Sequence, residues 1–246
     1  MQNRSTNKPP QRANAALTLD SSSASESLRI RSNWAKRIFD FLFAGATLLL
    51  SSPLFLLGSL LAKIQSTGPV FYKAKRVGRE GAIFEMYKFR TMVVNADQIG
   101  IGLTTHRDSR VTPIGRILRF TKLDELPNLI NVIKGEMSLI GPRPEAPNFV
   151  KYYTETQKQV LLVKPGITGP SQIANRNEEE KLAAQTDPEH YYITELMPKK
   201  LELDLHYVAT QGFISDIGWL IKTLWVVIFP PKEKKYINES GNLPNI

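Results

Sequence analysis

The longest apolar stretch of the chain runs from Phe41 to Ala62 (FLFAGATLLLSSPLFLLGSLLA) and contains no charged residue. Its length is that of a membrane helix, which needs about 20 apolar residues. A buried helix of a soluble protein is the alternative reading, and it is less typical of a run this long. Pro53 lies in the middle, after Ser51 and Ser52. Because proline removes a backbone hydrogen bond and clashes with the preceding turn, the pattern predicts two helices separated by a kink.

Basic residues flank this stretch on both sides, with Lys36 and Arg37 before it and Lys63 after it. Basic residues concentrate on the cytoplasmic side of a membrane, and a straight span would carry one of the two groups across. A hairpin that enters and leaves by the same face keeps both groups inside. The pattern therefore predicts a re-entrant membrane helix–break–helix over residues 34–66, with the serine–proline pair at its tip.

The segments that follow predict an α+β fold that is mostly helical, with a small β-hairpin. Strand-like residues on either side of a glycine-containing turn predict the hairpin between residues 70 and 92. Residues 113–120 are preceded by a threonine and begin with a proline, which is typical of a helix start. A second helix is predicted to follow Asp124 and to end near Lys134.

Three later segments carry weaker patterns. Residues 139–147 are rich in proline and glycine and predict an ordered loop or a linker. Residues 177–203 are charged and are predicted to be helical in part. Apolar residues recur at helical spacing from Phe213 to Phe229, a segment that contains two tryptophans. This spacing predicts either an amphipathic helix at a membrane interface or a buried core helix.

Composition divides the chain into a tail, a hairpin, a domain and a second tail. Residues 1–33 are polar and poor in aromatic residues, which predicts a disordered tail, and the membrane hairpin over 34–66 follows. Residues 67–235 are predicted to form one folded domain with interfacial helices, which the resemblance described below implies is cytoplasmic and catalytic, and residues 236–246 a second tail. A chain of 246 residues is long enough for one such domain with its own core.

The charge balance points to a polyanionic partner. The formal net charge is +9, and the chain contains no cysteine, which excludes disulfides and thiolate metal sites. A basic chain of this kind suits nucleic acid, an anionic membrane face or phosphorylated small molecules. Composition by itself leaves these three open.

The carboxylate pair Asp124-Glu125 is the strongest candidate for chemistry. An aspartate and a glutamate at a helix start also have a purely structural explanation as a cap and a dipole partner. Arg119 precedes the pair, however, and the Gly-Pro-Arg-Pro loop can return Arg143 to the same place. Carboxylates beside arginines suit a magnesium pyrophosphate, and a carboxylate can also attack phosphorus to form a covalent intermediate.

These residues belong to a set of motifs that resembles one family. The chain is similar to the monotopic phosphoglycosyl transferases, also called the bacterial sugar transferase family. The matching pieces occur in family order: KRIFDF at 36–41, the serine–proline break, YKFRTM at 87–92, LDELPNLINVIKGEMSLIGPRP at 123–144, PGITG at 165–169 and LDLHYV at 203–208. The block at 123–144 is the most specific of them.

The resemblance implies an activity and a location. Members of the family transfer a sugar phosphate from a UDP-sugar to polyprenyl (undecaprenyl) phosphate and release UMP, as a first membrane step of bacterial glycan assembly. They lie on the cytoplasmic face of the bacterial inner membrane. By this resemblance Asp124 is the nucleophile that carries the phosphosugar, and Glu125 binds the cofactor Mg²⁺. The implied partners are the donor, the polyprenyl phosphate and membrane lipids, without nucleic acid; a homodimer is left open.

Further residues carry over from the family at matching positions. The expected substrate-binding residues are Lys88, Arg90, Arg119, Arg143, Gln172 and Arg176. The expected membrane-hairpin residues are Lys36, Arg37, Asp40, Ser52 and Pro53.

The chain departs from the shortest family members in one segment. Residues 178–198 are longer than in those members, and we interpret them as a lid or a partner surface. Two other functions compete with the transferase: a membrane phosphatase or pyrophosphatase in which water attacks the intermediate, and a non-catalytic, membrane-tethered basic scaffold. The scaffold leaves the acidic pair and the Gly-Pro-Arg-Pro loop without a role.

Overall fold

The computed structural model describes residues 34–65, 68–96, 103–105 and 108–229. The two predicted tails, 1–33 and 236–246, lie outside these residues. The described chain is mostly helical and contains a small antiparallel hairpin, as the sequence predicts.

The first two helices form a bent pair. Helix α1 spans Trp34–Leu50 and α2 spans Ser52–Gln65, and their axes differ by 67°. No single helix among the described residues is long and apolar enough to cross a membrane, whereas this pair meets the criteria jointly. The break falls at Ser51, one residue before the predicted tip, and the Ser51 hydroxyl donates to the Thr47 carbonyl at 2.6 Å. Pro53 therefore lies in the first turn of α2, where a missing N–H costs little.

The predicted hairpin is present, and it packs against α2. Strands β1 (Phe71–Val77) and β2 (Ile83–Phe89) pair antiparallel around a 3₁₀ turn, Arg79–Gly81. The ring of Phe89 lies 5.2 Å from that of Phe55 on α2. A Cβ at Gly58 would come within 2.7 Å of the Phe89 ring, so the glycine permits this close approach.

The next helices define the position of the acidic pair. Helix α3 (Pro113–Phe120) begins where predicted, and the Thr112 hydroxyl accepts a hydrogen bond from the Gly115 N–H at 2.9 Å. The second helix, α4, covers only Asn128–Lys134, so the prediction that it follows Asp124 directly is wrong. A separate 3₁₀ turn, Leu123–Glu125, comes first. Pro127 lies between turn and helix, and its missing N–H prevents one continuous helix.

The predicted loop over residues 139–147 is present at 141–146, and it is preceded by a strand that the sequence analysis did not predict. Strand β3 (Ser138–Ile140) pairs with β4 (Gly166–Thr168), with Ser138 opposite Gly166 and Ile140 opposite Thr168. Three-residue strands are too short to show alternation, so the sequence pattern did not reveal them. The pair fixes both ends of the segment that carries the Gly-Pro-Arg-Pro loop.

The carboxyl-terminal half is helical. Its elements are α5 (Pro147–Val150), a 3₁₀ segment (Gln157–Leu162), α6 (Pro170–Ala174), α7 (Glu178–Ala183), α8 (Pro188–Tyr191), a π-helical turn (Tyr192–Leu196), α9 (Met197–Thr210) and α10 (Phe213–Ile228). A core of buried residues joins α5, the 3₁₀ segment, α7, the π-helical turn and α9, and it includes Phe149, Tyr192 and Leu201. Helix α10 contributes Asp216 as its buried residue, whereas Ile214 is 85% exposed. Within the described chain α10 is therefore not a core helix.

Candidate active site

The acidic pair lies on the short turn between α3 and α4. Lys122, just before the turn, has a left-handed backbone with φ 58°, which turns the chain abruptly after α3. Asp124 is 7% exposed. Its Oδ1 atom is buried and has no hydrogen-bond partner among the described residues. A buried, unpartnered carboxylate oxygen is costly in a folded protein, and such atoms call for a functional explanation.

Glu125 is held by two cations from distant parts of the chain. Lys88 on β2 donates from Nζ to Glu125 Oε1 at 2.8 Å, and Arg143 lies 3.4 Å from the same oxygen. Burial raises the pKa of Glu125, but the charges of Lys88 and Arg143 outweigh it and hold that pKa well below its usual range. Glu125 is therefore a carboxylate at neutral pH.

The pKa of Asp124 is shifted in the opposite direction, above its usual range. Burial raises its pKa, and the neighbouring charge of Glu125 adds to this effect, while Lys88 and Arg119 oppose it. The two carboxylates are thus separated in pKa by their surroundings, as is common where adjacent acidic groups have different tasks. The pKa of Lys88 is lowered. Burial of its ammonium group lowers this pKa, and the negative charge of Glu125 only partly offsets the effect.

Arg119 lies on α3 and borders the pair. Its Nε donates to the Thr91 hydroxyl at 3.0 Å, and its NH1 donates to Glu179 at 3.0 Å. Its positive charge opposes the rise that burial causes in the pKa of Asp124, so Arg119 borders the turn that Lys88 and Arg143 contact at Glu125. The folded chain brings together the acidic pair and three of the six predicted substrate-binding residues.

The other three predicted substrate-binding residues contact different parts of the fold. Arg90 is 6% exposed, and its NH2 donates to the Ala62 carbonyl of α2 at 2.9 Å. The amide of Gln172 lies 3.5 Å from the Gly141 carbonyl, beside the parallel strand pair. Arg176 is exposed and contacts α10. A role in substrate binding stays a prediction for all six residues.

The predicted hairpin residues attach α1 to the rest of the structure. Lys36 forms an ion pair with Asp216 of α10. The guanidinium of Arg37 donates to the carbonyls at the end of α4, including that of Ile133 at 2.7 Å. Asp40 is buried and accepts a hydrogen bond from the Ser138 hydroxyl at 2.8 Å. Ser52 and Pro53 lie at the bend.

Comparison with known proteins identifies the family. Residues 31–230 match the sequence model described as "Bacterial sugar transferase". The chain belongs to the bacterial sugar transferase family. The exopolysaccharide production protein ExoY of Sinorhizobium fredii is 36% identical to it over 205 residues, which cover 77% of this chain and 84% of that protein.

Two further relatives have names that state an activity. UDP-glucose:undecaprenyl-phosphate glucose-1-phosphate transferase of Caulobacter vibrioides is 34% identical over 199 residues, covering 80% of this chain and 70% of that protein. Undecaprenyl-phosphate galactose phosphotransferase of Salmonella typhimurium is 35% identical over 224 residues, covering 82% of this chain but 43% of that protein. The prediction that this chain is a phosphoglycosyl transferase of this family is confirmed.

A buried polar network behind the transferase site was missed by the sequence interpretation. The Tyr192 hydroxyl donates to Glu145, and Lys200 donates to Tyr192 at 3.0 Å and to Glu178 at 2.9 Å. Burial raises the pKa of Glu145, but Lys200 and Arg76 outweigh it and lower that pKa. The closeness of Glu145 to Arg143 along the chain was the one available signal.

Asp204 on α9 lies beside the loop that carries Arg143. It accepts a hydrogen bond from the Ser171 hydroxyl at 2.9 Å, and the nearby backbone N–H of Arg143 favours its ionised form. Burial raises the pKa of Asp204 to about 6. The Asp204 carboxyl group is therefore close to the backbone of Arg143, whose side chain extends towards Glu125.

The carboxylates of the acidic pair are ligands of the type that a magnesium ion takes. Magnesium usually binds through one or two carboxylates together with substrate phosphates. Among the described residues no group of three or more histidine, cysteine or acidic side chains is placed to hold a metal, so such an ion would rely on substrate oxygens. The hydrogen bonds from Lys88 and Arg143 both end on Oε1 of Glu125, and its Oε2 is the oxygen suited to an ion.

Proposed function

We propose that this sugar transferase moves a sugar phosphate from a UDP-sugar to polyprenyl phosphate and releases UMP, through a phosphosugar ester of Asp124. The observation that carries the proposal is the buried, unpartnered Oδ1 of Asp124 beside Glu125 and among three cations. The names of the Caulobacter and Salmonella relatives describe the same type of transfer in those proteins.

In the first step, an oxygen of Asp124 attacks the phosphorus that bears the sugar. A new bond forms between carboxylate oxygen and phosphorus, and the bond to the bridging oxygen between the two phosphates breaks. The bridging oxygen leaves with its electron pair as part of UMP. Lys88, Arg119 and Arg143 stabilise the charge on the transferring phosphoryl group, a contribution that is often the largest in such reactions.

In the second step, an oxygen of polyprenyl phosphate attacks the same phosphorus. The bond from phosphorus to Asp124 breaks, and the carboxylate is regenerated with its electron pair. When both phosphomonoesters are dianions, the overall exchange needs no net proton transfer. A covalent intermediate allows a soluble donor and a lipid acceptor to use one site in turn.

Magnesium is the cofactor that we propose for this site, held by Glu125 with oxygens of the donor. When bound, it would supply charge neutralisation at the donor phosphates. Lys88 and Arg143 keep Glu125 ionised and oriented for that purpose.

We further propose that α1 and α2 form a re-entrant hairpin on the cytoplasmic face of a bacterial membrane. Both ends of the bent pair are attached to the same folded unit, since Lys36 pairs with Asp216 and Arg90 donates to the carbonyl of Ala62. These two attachments support entry and exit on one side of the membrane. Leu50, which is 83% exposed next to the bend, provides apolar surface for lipid.

The test uses purified protein in nanodiscs with magnesium, undecaprenyl phosphate and a panel of UDP-sugars, and measures UMP. We expect UMP release with at least one donor, dependent on the lipid and abolished by Asp124→Asn. The matched control is Asp187→Asn, the same chemical change at an exposed helix cap, where asparagine caps equally well. With a donor labelled in its sugar-linked phosphate and no lipid, label should remain on the wild-type protein but not on Asp124→Asn.

Two results would contradict the proposal. Unchanged UMP release by Asp124→Asn would exclude the covalent step. Release of free sugar phosphate without lipid-linked product would indicate a hydrolase in place of a transferase. Removal of magnesium with a chelator tests the cofactor separately, and activity that survives it would exclude magnesium.

A further inference from the structure

The acidic start of α7 contacts Arg119 of the active site and Lys200 of the buried network. Glu178, Glu179 and Glu180 follow one another there. Glu179 pairs with Arg119 at 3.0 Å, and Glu178 pairs with Lys200 at 2.9 Å. The segment that the sequence marks as longer than in short family members therefore begins in contact with the site.

Arg119 already uses a carboxylate as a partner on one nitrogen. Its Nε is fixed by the Thr91 hydroxyl, whereas its NH1 points to Glu179. The same N–H groups of a guanidinium bind carboxylate and phosphate oxygens, with similar geometry and charge. The Glu179 carboxylate is thus a chemical equivalent of a phosphate on this arginine.

We propose that Glu179 occupies on Arg119 the position of a donor phosphate oxygen, so that the Arg119–Glu179 pair opens when the donor binds. This inference rests on the proposed function, because it assumes a nucleoside diphosphate sugar as the donor. Glu179 then lowers the affinity for the donor and acts through Arg119, as a positioning residue outside the chemistry.

The exposure of the pair permits this exchange. The side chain of Glu179 is 49% exposed and that of Arg119 is 23% exposed. Ion pairs of such exposure are weak, and a diphosphate with its higher charge replaces a carboxylate readily. Thr91 keeps Arg119 in place while Glu179 leaves.

The test compares two substitutions that remove the same charge from the same turn. Glu179→Gln should lower the KM for the donor roughly two- to fivefold, the range expected for loss of a competing exposed ion pair, with little change in kcat. Glu180→Gln is the matched control, since Glu180 has no ion pair among the described residues, and its KM should equal that of the wild type. A tighter substrate interaction is not a result that damage to the fold produces.

Binding of UDP, measured by calorimetry, provides a readout that does not need turnover. Glu179→Gln should bind UDP two- to fivefold more tightly, and the gain should disappear when Arg119 is replaced by alanine. An unchanged or weaker affinity in Glu179→Gln would overturn the inference. Absence of turnover in the wild type with every donor would overturn the proposed function, whereas absence of UDP binding would overturn both.

Discussion

Replacement of Asp124 by asparagine should stabilise the folded protein while it abolishes transfer. The carboxyl group is buried and its Oδ1 has no partner among the described residues. Burial raises its pKa in spite of Lys88 and Arg119, so at neutral pH the ionised form opposes folding. Asparagine has nearly the same shape and carries no charge, and it removes this unfavourable contribution.

The size of the effect follows from the environment of the carboxylate. A buried polar atom without a partner costs about 1–3 kcal/mol. Part of this cost remains with the amide, and the attraction of Lys88 and Arg119 for the carboxylate is lost. We therefore expect a net gain of about 1 kcal/mol, which corresponds to an increase of roughly 2–4 °C in melting temperature for a domain of this size.

The stabilisation should depend on pH with a definite sign. Because the pKa of Asp124 is raised in the folded state, the cost of ionisation is present above that folded pKa. The cost disappears as the pH falls through the folded pKa towards the unfolded value of about 3.9. The difference in melting temperature between Asp124→Asn and wild type should therefore be largest above neutrality and should shrink in acid.

The assay is thermal unfolding in nanodiscs without donor or magnesium, over a series of pH values from about 8 down to about 4.5, which approaches the ordinary aspartate range. Both proteins share every other titrating group, so the difference between them reports Asp124 together with its electrostatic interaction with Glu125 and Lys88. A melting temperature that is lower than wild type at neutral pH would refute the reasoning. A difference that stays constant across the pH series would refute it equally.

Three further changes test other parts of the structure. Lys88→Met removes the ammonium group whose Nζ lies 2.8 Å from Glu125 Oε1. In the UMP assay kcat/KM should fall on the order of a hundredfold, and a smaller loss would contradict its role. Pro53→Ala restores a backbone N–H at the bend. Single cysteines introduced into this cysteine-free chain should then be labelled partly from the opposite side of the membrane. Unchanged labelling would show that other contacts hold the bend. Asp216→Asn breaks the buried pair with Lys36 and should destabilise the protein by about 3 kcal/mol in thermal unfolding. Glu85→Gln, at an exposed pair, should leave the melting temperature unchanged, and equal effects of the two substitutions would contradict the importance of burial.

Features that depend on covalent geometry were predictable from the chain itself. The missing N–H of Pro53 determines that the apolar stretch breaks, and only the exact residue of the break differs. Thr112 caps α3 through its own hydroxyl, and the hairpin follows from strand-like residues on either side of a glycine-containing turn. The specific block that contains Asp124 carried the family resemblance. Each of these features depends on residues that are close together in the sequence.

The arrangement around the acidic pair was decided by the tertiary structure. Lys88 lies 37 positions before Glu125, and Arg119 lies 60 positions before Glu179, yet each pair is in contact. No local pattern specifies which cation meets which carboxylate, because that depends on how β2, α3 and α7 pack together. The chain therefore determined by itself which residues are able to do chemistry. The packing of the whole fold determined which of them lie close enough to act together, and it left one oxygen of Asp124 buried without a partner.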